Sequence, residues 1–423
     1  MPEFRSAGAR TRERVLALAG PAVAASAELI DYDEVWRAKR AALELLVPDR
    51  SALRQLTGED AGRGEFALFC TLAEEHGPDW RRWPAALRDP ASAAVGEAAG
   101  RLADRVGLHA WIQLRCAEQL ADVQAAAASS GLRAGVIHDL PVGVDPAGAD
   151  AWAMQDALAG GVTVGAPPDV FNQRGQDWGL PPWRPYRLAA TGYAPLRDVV
   201  HRCLAHADGL RVDHVAGLWR LWWVPSGSTP DRGSYVRYDA DAMLAVLAIE
   251  AERAGATVIG EDLGTVEPVV TETLHDKGMA SSAVLWFQRP GDEVAGPLQP
   301  AAAWPAPAMA SISTHDLPTA AGFLRAEHVR VRAALGQLAC SEADELAAAA
   351  ADRRDVLDLL AAEGLLPAGS GGADAAEPSE EDLIVAMHVL LARTPCRLAM
   401  VALTDVLGDA RQPNLPGTVD EYP

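Results

Sequence analysis

Three short apolar runs in the 423-residue chain each end in an acid: Gly-Leu-Arg211-Val-Asp213-His214, Val-Ile-Gly-Glu261-Asp262-Leu-Gly and Ser-Ile-Ser-Thr-His315-Asp316. Runs this short and this apolar read as strands buried on both faces, the habit of strands in parallel sheets. A parallel sheet sends every strand end to one side, so three acid tips converge only if their strands run the same way. A parallel β/α barrel collects its functional groups at that end. The expected fold class is therefore α/β, a TIM-type barrel.

The rest of the chain fills in that frame. Residues Ala27 to Leu45 place apolar side chains at helical spacing opposite a Glu/Lys/Arg face, which predicts an amphipathic helix, and the chain reads as helical from there to Gly107. Beyond it, short apolar runs alternate with helical patterns, the signature of βα units. His109 to Leu114 is the first candidate strand. Ala134 to Val142, Gly209 to Val215, Thr257 to Leu263, Ala283 to Phe287, Ala310 to Thr314 and Arg397 to Leu407 follow. That makes seven where a closed barrel has eight, and the one absent is expected before His109. We expect a single catalytic domain: a helical N-terminal region over 1–107, then βα units over 108–423. The Pro-, Gly- and Trp-rich segment 143–193 is expected as an active-site loop insertion. The small, acidic Pro367 to Asp382 reads as a surface loop.

With 49% hydrophobic residues the chain can bury a large core, and its formal net charge of −21 argues against a nucleic-acid partner, whose footprint would be basic. Five scattered cysteines without Cys-x-x-Cys spacing are expected as reduced thiols, placing the protein in the cytoplasm. The N-terminus carries charge where a signal peptide would be apolar, and no uninterrupted apolar stretch reaches bilayer-spanning length, so no membrane association is expected. No Walker pattern and no Gly-x-Gly-x-x-Gly opens a helix. His138-Asp139, Asp213-His214 and His315-Asp316 raise the question of a metal, but adjacent strand residues diverge and no helical His-x-x-x-His supports a site. Neither metal nor organic cofactor is expected.

Acids at strand ends often do no more than cap the next helix or pair on the surface. Three in succession at βα junctions favour chemistry instead. Retaining glycosyl transfer needs one carboxylate as nucleophile and a second, protonated, as general acid and then base, roughly 5 to 5.5 Å apart. Asp213 suits the first role, because Arg211 two residues earlier points to the same side of the strand and supports an anion there. Glu261 or Asp262 suits the second, since alternation lets only one of the two face the mouth. Asp316 would stabilise positive charge on the sugar ring, and His315 would hydrogen-bond a hydroxyl. Among twelve tryptophans, Trp178, Trp183, Trp219, Trp222 and Trp223 crowd this region. Flat rings with one polar handle suit sugar stacking, although packing is the ordinary role of each.

The motifs GVIHDLPVGVDPAGADAWA (135–153), GAPPDVFNQRGQDWGLPPW (165–183), GLRVDHVAGLWRLWWVP (209–225), VIGEDLGTVEPVV (258–270), SISTHDLPTAAGF (311–323) and DVLGDARQPNLPGT (405–418) resemble, in order and spacing, those of the amylomaltases, the 4-α-glucanotransferases of glycoside hydrolase family 77. The likeness covers nearly the whole chain. It implies an interrupted (β/α)8 barrel with helical insertions, with Asp213 as nucleophile, Glu261 rather than Asp262 as acid/base and Asp316 as transition-state stabiliser. Arg211 and His315 match sugar-binding positions, and Asp169, Gln176 and Trp178 match acceptor-side loop positions. The implied reaction passes α-1,4-glucan segments, including maltooligosaccharides, to a glucan or to glucose through a covalent glucosyl-enzyme intermediate, without metal or cofactor. Family members begin upstream of Pro2, so the chain is expected to lack a first barrel strand. An α-glucan hydrolase on the same barrel and an inactive glucan-binding remnant are the rival expectations.

Overall fold

Two of the acid-tipped runs, those before Asp213 and Glu261, are strands to their ends, whereas the strand expected over Ala310 to Thr314 runs instead over Ala308–Ser311, so that Asp316 follows it on a loop. The computed structural model describes all residues except 25–29, 48–52, 54–60, 169–173, 265, 292–295, 367–377, 419–420 and 423. Its strands, in chain order, are β1 Ile137–Leu140, β2 Val162–Ala166, β3 Gln176–Leu180, β4 Gly209–Val212, β5 Arg220–Pro225, β6 Ser234–Arg237, β7 Thr257–Gly260, β8 Ser281–Val284, β9 Ala308–Ser311 and β10 Leu398–Ala399. The fold is mixed α/β, with parallel sheets.

The chain forms two compact units, one of residues Met1–Val136, Gly143–Val164 and Trp178–Pro195, the other of Ile137–Val142, Gly165–Asp177 and Leu196–Pro423. In the second, β4 lies parallel between β1 and β7, and β9 lies parallel between β8 and β10. A parallel bridge from Ile259 to Ala280 joins the two sets, with Gly260 N donating to Ala280 O at 2.8 Å and Ala280 N to Val258 O at 2.9 Å. The order β1-β4-β7-β8-β9-β10 thus follows the chain, and six C-terminal tips share one side. Ile137 of β1 and Leu398 of β10, at opposite ends of that order, pack into one cluster with Ile259, Ala280 and Met309. The first and last strands of that order thus each send a side chain to the same cluster. Against β8 and β9 lie the helices Glu342–Ala362 and Glu380–Arg393, whose Val356, Leu360, Met387 and Leu390 share a core with Ala283 and Ala310. Burial on both faces explains why all four residues of β9 are apolar or small. β5 and β6 form an antiparallel hairpin between β4 and β7.

The first unit is helical. Its core stacks Phe69 on Trp83 at 5.2 Å between centroids, with Trp152 at 5.9 Å from each. The strand expected at His109 to Leu114 is wrong: the helix Ala103–Ser129 runs through it. Val106 to Ile112 are buried without a break, in contact on one side with Leu46 and Leu53 and on another with Ala67. A helix buried all round loses its polar stripe, and a short stretch of it then has the same apolar texture as a buried strand. The expected helix at Ala27 to Leu45 is Tyr32–Leu46, started by Asp31, whose side chain accepts from Glu34 N at 2.8 Å; residues 27–29 lie outside the described ones. The expected strand Ala283 to Phe287 begins at Ser281 and ends in a 3-10 turn over Leu285–Phe287. Arg397 to Leu407 yields only the two residues of β10 before the short helix Leu403–Val406. The segment 143–193 holds the helix Ala149–Ala153, β2, β3 and the helix Pro185–Ala190.

Candidate functional site

The pairing register builds the site. β1 and β4 set Asp139 beside Arg211, and β4 and β7 set Val212 beside Gly260, so the next residues along, Asp213 and Glu261, emerge from neighbouring tips. The tips are held together by the backbone: Asp213 N donates to Leu140 O and Glu261 N to Val212 O, both at 2.9 Å. Gly260 makes this approach possible, since a Cβ there would lie 2.8 Å from Leu274 Cδ1 and 3.0 Å from Val215 Cγ1.

Arg211 is the hub. Its Nη1 donates to both oxygens of Asp139, at 2.8 and 2.9 Å, and its Nη2 lies 3.0 Å from Asp213 Oδ1. Burial works against its charge, but the Asp139 hydrogen bonds and the charges of Asp213, Asp139 and Glu261 prevail, holding the guanidinium above its ordinary value. A cation so placed fixes the direction of the Asp213 carboxylate.

Glu261 is treated differently. Its two oxygens accept backbone amides, Oε2 from His214 at 2.9 Å and Oε1 from Leu263 at 2.8 Å. His214 reaches it by adopting a left-handed conformation (φ 45°), strained for a residue with a Cβ. Burial pushes the Glu261 carboxyl up to about 7, with the Asp213 charge adding to it and the two amides and Arg211 opposing it. Near neutral pH this group can both give and take a proton. Burial likewise lowers the His214 imidazole. Asp262 faces away: it accepts from Thr271 Oγ1 at 2.6 Å and from Ser282 N at 2.9 Å. The pair left open by alternation is thus divided into an acid at the tip and an acid that ties β7 to β8.

Asp316 lies five residues beyond the end of β9, on the side of the sheet where the other tips emerge. Its carboxylate accepts from Asn414 Nδ2 and lies 3.3 Å from His315 Nε2. Gln176 and Trp178 are on β3 rather than in a loop, two apart on its half-buried face. Asp169 lies outside the described residues. Among the tryptophans, Trp222 is packed edge-on against Tyr235 at 4.9 Å and donates to Pro230 O at 2.8 Å, a structural role within the β5–β6 hairpin.

Two hydrogen-bond partners of these residues escape the sequence reading. Asp139 was considered only as half of a metal pair with His138, but the two diverge: His138 Nδ1 meets Cys203 O at 2.6 Å, while Asp139 grips Arg211. The signal was present, since the β1 run Val-Ile-His-Asp139 carries an acid just as the other three do. Asn414 had no such signal, because its partner is 98 residues away.

Comparison with known proteins identifies the family. A family model described as 4-alpha-glucanotransferase, that of glycoside hydrolase family 77, matches residues 2–423. The 4-alpha-glucanotransferase of Mycobacterium bovis is 49% identical over 405 residues, 94% of this chain and 55% of its own, and that of Haemophilus influenzae is 34% identical over 83% of this chain and 50% of its own. The chain spans about half the length of the curated relatives it matches. A crystal structure of amylomaltase from Corynebacterium glutamicum covers 100% of this chain and 59% of its own, with a TM-score of 0.85 and 35% identity. An amylomaltase from Streptococcus agalactiae in complex with acarbose shares the fold over 93% of this chain and 75% of its own, with a TM-score of 0.72 at 18% identity. The acid-tipped parallel strands and a family match from the second residue to the last lead to one conclusion: this chain belongs to the 4-alpha-glucanotransferases of glycoside hydrolase family 77.

Proposed function

We propose that the chain carries the catalytic centre of a retaining 4-α-glucanotransferase, with Asp213 as nucleophile, Glu261 as general acid and base, and Asp316 as stabiliser of the charged sugar ring. The observation that carries this reading is the contrast between neighbouring acids. Asp213 is held by a guanidinium, whereas Glu261 is buried to a value of about 7. Adjacent parallel strands are about 4.8 Å apart, which suits the roughly 5 to 5.5 Å between the carboxyls of a retaining pair. Six parallel strands in chain order, with β1 and β10 meeting in one cluster, support an interrupted TIM-type barrel with the acids at its mouth.

In this mechanism Asp213 attacks the anomeric carbon of an α-1,4-glucan as Glu261 gives its proton to the departing glycosidic oxygen. The carbon–oxygen bond to the leaving segment breaks and a glucosyl ester forms on Asp213. Glu261, now anionic, takes the proton of an incoming glucan or glucose hydroxyl, which attacks the ester and frees Asp213. Arg211, oriented by Asp139, holds the nucleophile throughout, and His315 hydrogen-bonds the ring beside Asp316. Gln176 and Trp178, with Asp169, serve the acceptor side. No helix among the described residues is long and apolar enough to cross a membrane. The five cysteines are free thiols, which suit a reducing compartment, and we assign the protein to the cytoplasm on that ground. Incubation with maltotriose tests the reaction: oligosaccharides longer than the substrate are expected, and glucose with maltose alone would establish hydrolysis instead.

A further inference from the structure

The loop that bears His315 and Asp316 is held by a segment nearly a hundred residues later in the chain. Asn414 N donates to His315 O at 3.0 Å, and Asn414 Nδ2 donates to Asp316 Oδ1 at 2.5 Å. Gln412 Nε2 donates to Asp316 O at 2.8 Å and to Asn414 O at 2.7 Å, and Tyr422 Oη donates to Gln412 O at 3.0 Å. Upstream, Thr319 Oγ1 donates to Asp409 O at 2.8 Å, and Ala320 N donates to buried Asp405 at 2.9 Å. Gly322 lies so close to Ala410 that a Cβ would come within 2.5 Å of its carbonyl oxygen. Most of these contacts join backbone to side chain and serve to dock the segment. The Asn414 side-chain amide differs, because it is exposed and donates to the Asp316 carboxylate.

The geometry points to Asn414 as a positioning residue, whose side-chain amide aims the Asp316 carboxylate at the charge that develops on the sugar while its backbone fixes the adjoining His315. This rests on the reading of Asp316 given above. A carboxylate after a strand end has two torsions to fix, and His315 Nε2, at 3.3 Å, restrains only its second oxygen. A donor on the first oxygen fixes both. The amide is itself uncharged, so it orients the carboxylate without adding a cation beside the ring.

Asn414→Leu removes the donor while keeping the branched shape and zero charge, whereas Asn414→Ser keeps a shorter donor. Because Asn414 is exposed and its backbone bond to His315 does not depend on the side chain, both variants should melt within a few degrees of the wild type. With maltotriose, Asn414→Leu is expected to lower kcat about 100-fold, the effect of roughly an ångström of misplacement, with KM within about threefold, and Asn414→Ser is expected to recover part of the loss. Calorimetry in the Glu261→Gln background supplies a readout without turnover: acarbose, with its basic nitrogen, should bind at least tenfold more weakly when Asn414→Leu is added, while neutral maltoheptaose should bind as before. Unchanged kcat together with an unchanged ratio of acarbose to maltoheptaose affinity would overturn the assignment of Asn414. Full activity in Asp316→Asn would instead sink the role of Asp316, so the two failures are distinguishable. A wild-type chain that binds both ligands without turnover, while Asn414→Leu loses only acarbose, would support the assignment and count against transfer by this chain alone.

Discussion

Each unit of the molecule holds a withdrawn glutamate, and the two are driven in opposite directions. Burial opposes the charge of both. Around Glu74, in the helical unit, Arg105 donates to both oxygens, Arg40 Nη1 donates at 3.0 Å and His109 Nε2 lies at 3.1 Å. These partners outweigh desolvation and hold Glu74 below the usual carboxylate range. Around Glu261 the ligands are two neutral amides, and the nearby cation, Arg211, is already engaged by Asp139 and Asp213. Desolvation then prevails, and the carboxyl sits at about 7. Burial alone does not decide how strongly an acid holds its proton. What decides is whether the surrounding cations are committed to it or to something else.

The comparison breaks most readily at the chemistry. Asp213→Ala and Glu261→Gln should each lower maltotriose transfer roughly 10²- to 10⁴-fold, the usual contribution of such groups, with Glu261→Gln still binding glucan. A variant that kept most of its activity would show the roles misplaced. In the wild type, activity should fall as pH rises through about 7 and Glu261 loses its proton.

The next effect is on stability. Glu261 is raised in the folded state, so its cost to folding is absent below the unfolded carboxylate value, grows as pH rises towards 7 and is constant above it. At about 1.4 kcal/mol per pH unit this comes to roughly 3 kcal/mol. Glu261→Gln should therefore melt higher than the wild type at pH 8 and show little of that gain at pH 5. Equal gains at both pH values would mean that the carboxyl is not raised.

Arg105→Leu tests the opposite pole. Glu74 is lowered, so its contribution is present above the unfolded value and lost as pH falls through the folded one. Removing Arg105 should destabilise the helical unit by about 2 kcal/mol at pH 7, a figure reduced from that of a buried pair because both side chains are partly solvated, and should move acid unfolding to higher pH. Asp262→Asn should have the smallest effect, about 1 kcal/mol in denaturant melts for weakened bonds to Thr271 and Ser282, with kcat nearly unchanged. A loss of kcat like that of Glu261→Gln would reverse the division between the two acids.

The residues also show where sequence stops being informative. β4, β7 and β9 were legible because a strand buried on both faces is mostly apolar, although Arg211 lies within β4 and β9 ends at Ser311 rather than at Thr314. The same rule misread His109 to Leu114, where a helix surrounded by Leu46, Leu53 and Ala67 has no polar face to reveal its period. It also passed over β2 and β3, whose glycines and mixed polarity fit a loop as readily as a strand.

By itself, then, the sequence determined that carboxylates follow several buried strands and that Asp213, one of Glu261 and Asp262, and Asp316 are the candidates, because burial constrains composition residue by residue along the chain. Only the tertiary structure decided that Glu261 rather than Asp262 faces the tip, that Asp139 anchors Arg211 and that Asn414 reaches Asp316. Those facts depend on which strands are neighbours and on which donors fill the space around a carboxyl. Contacts between residues 72 or 98 positions apart leave no periodic trace in a single chain.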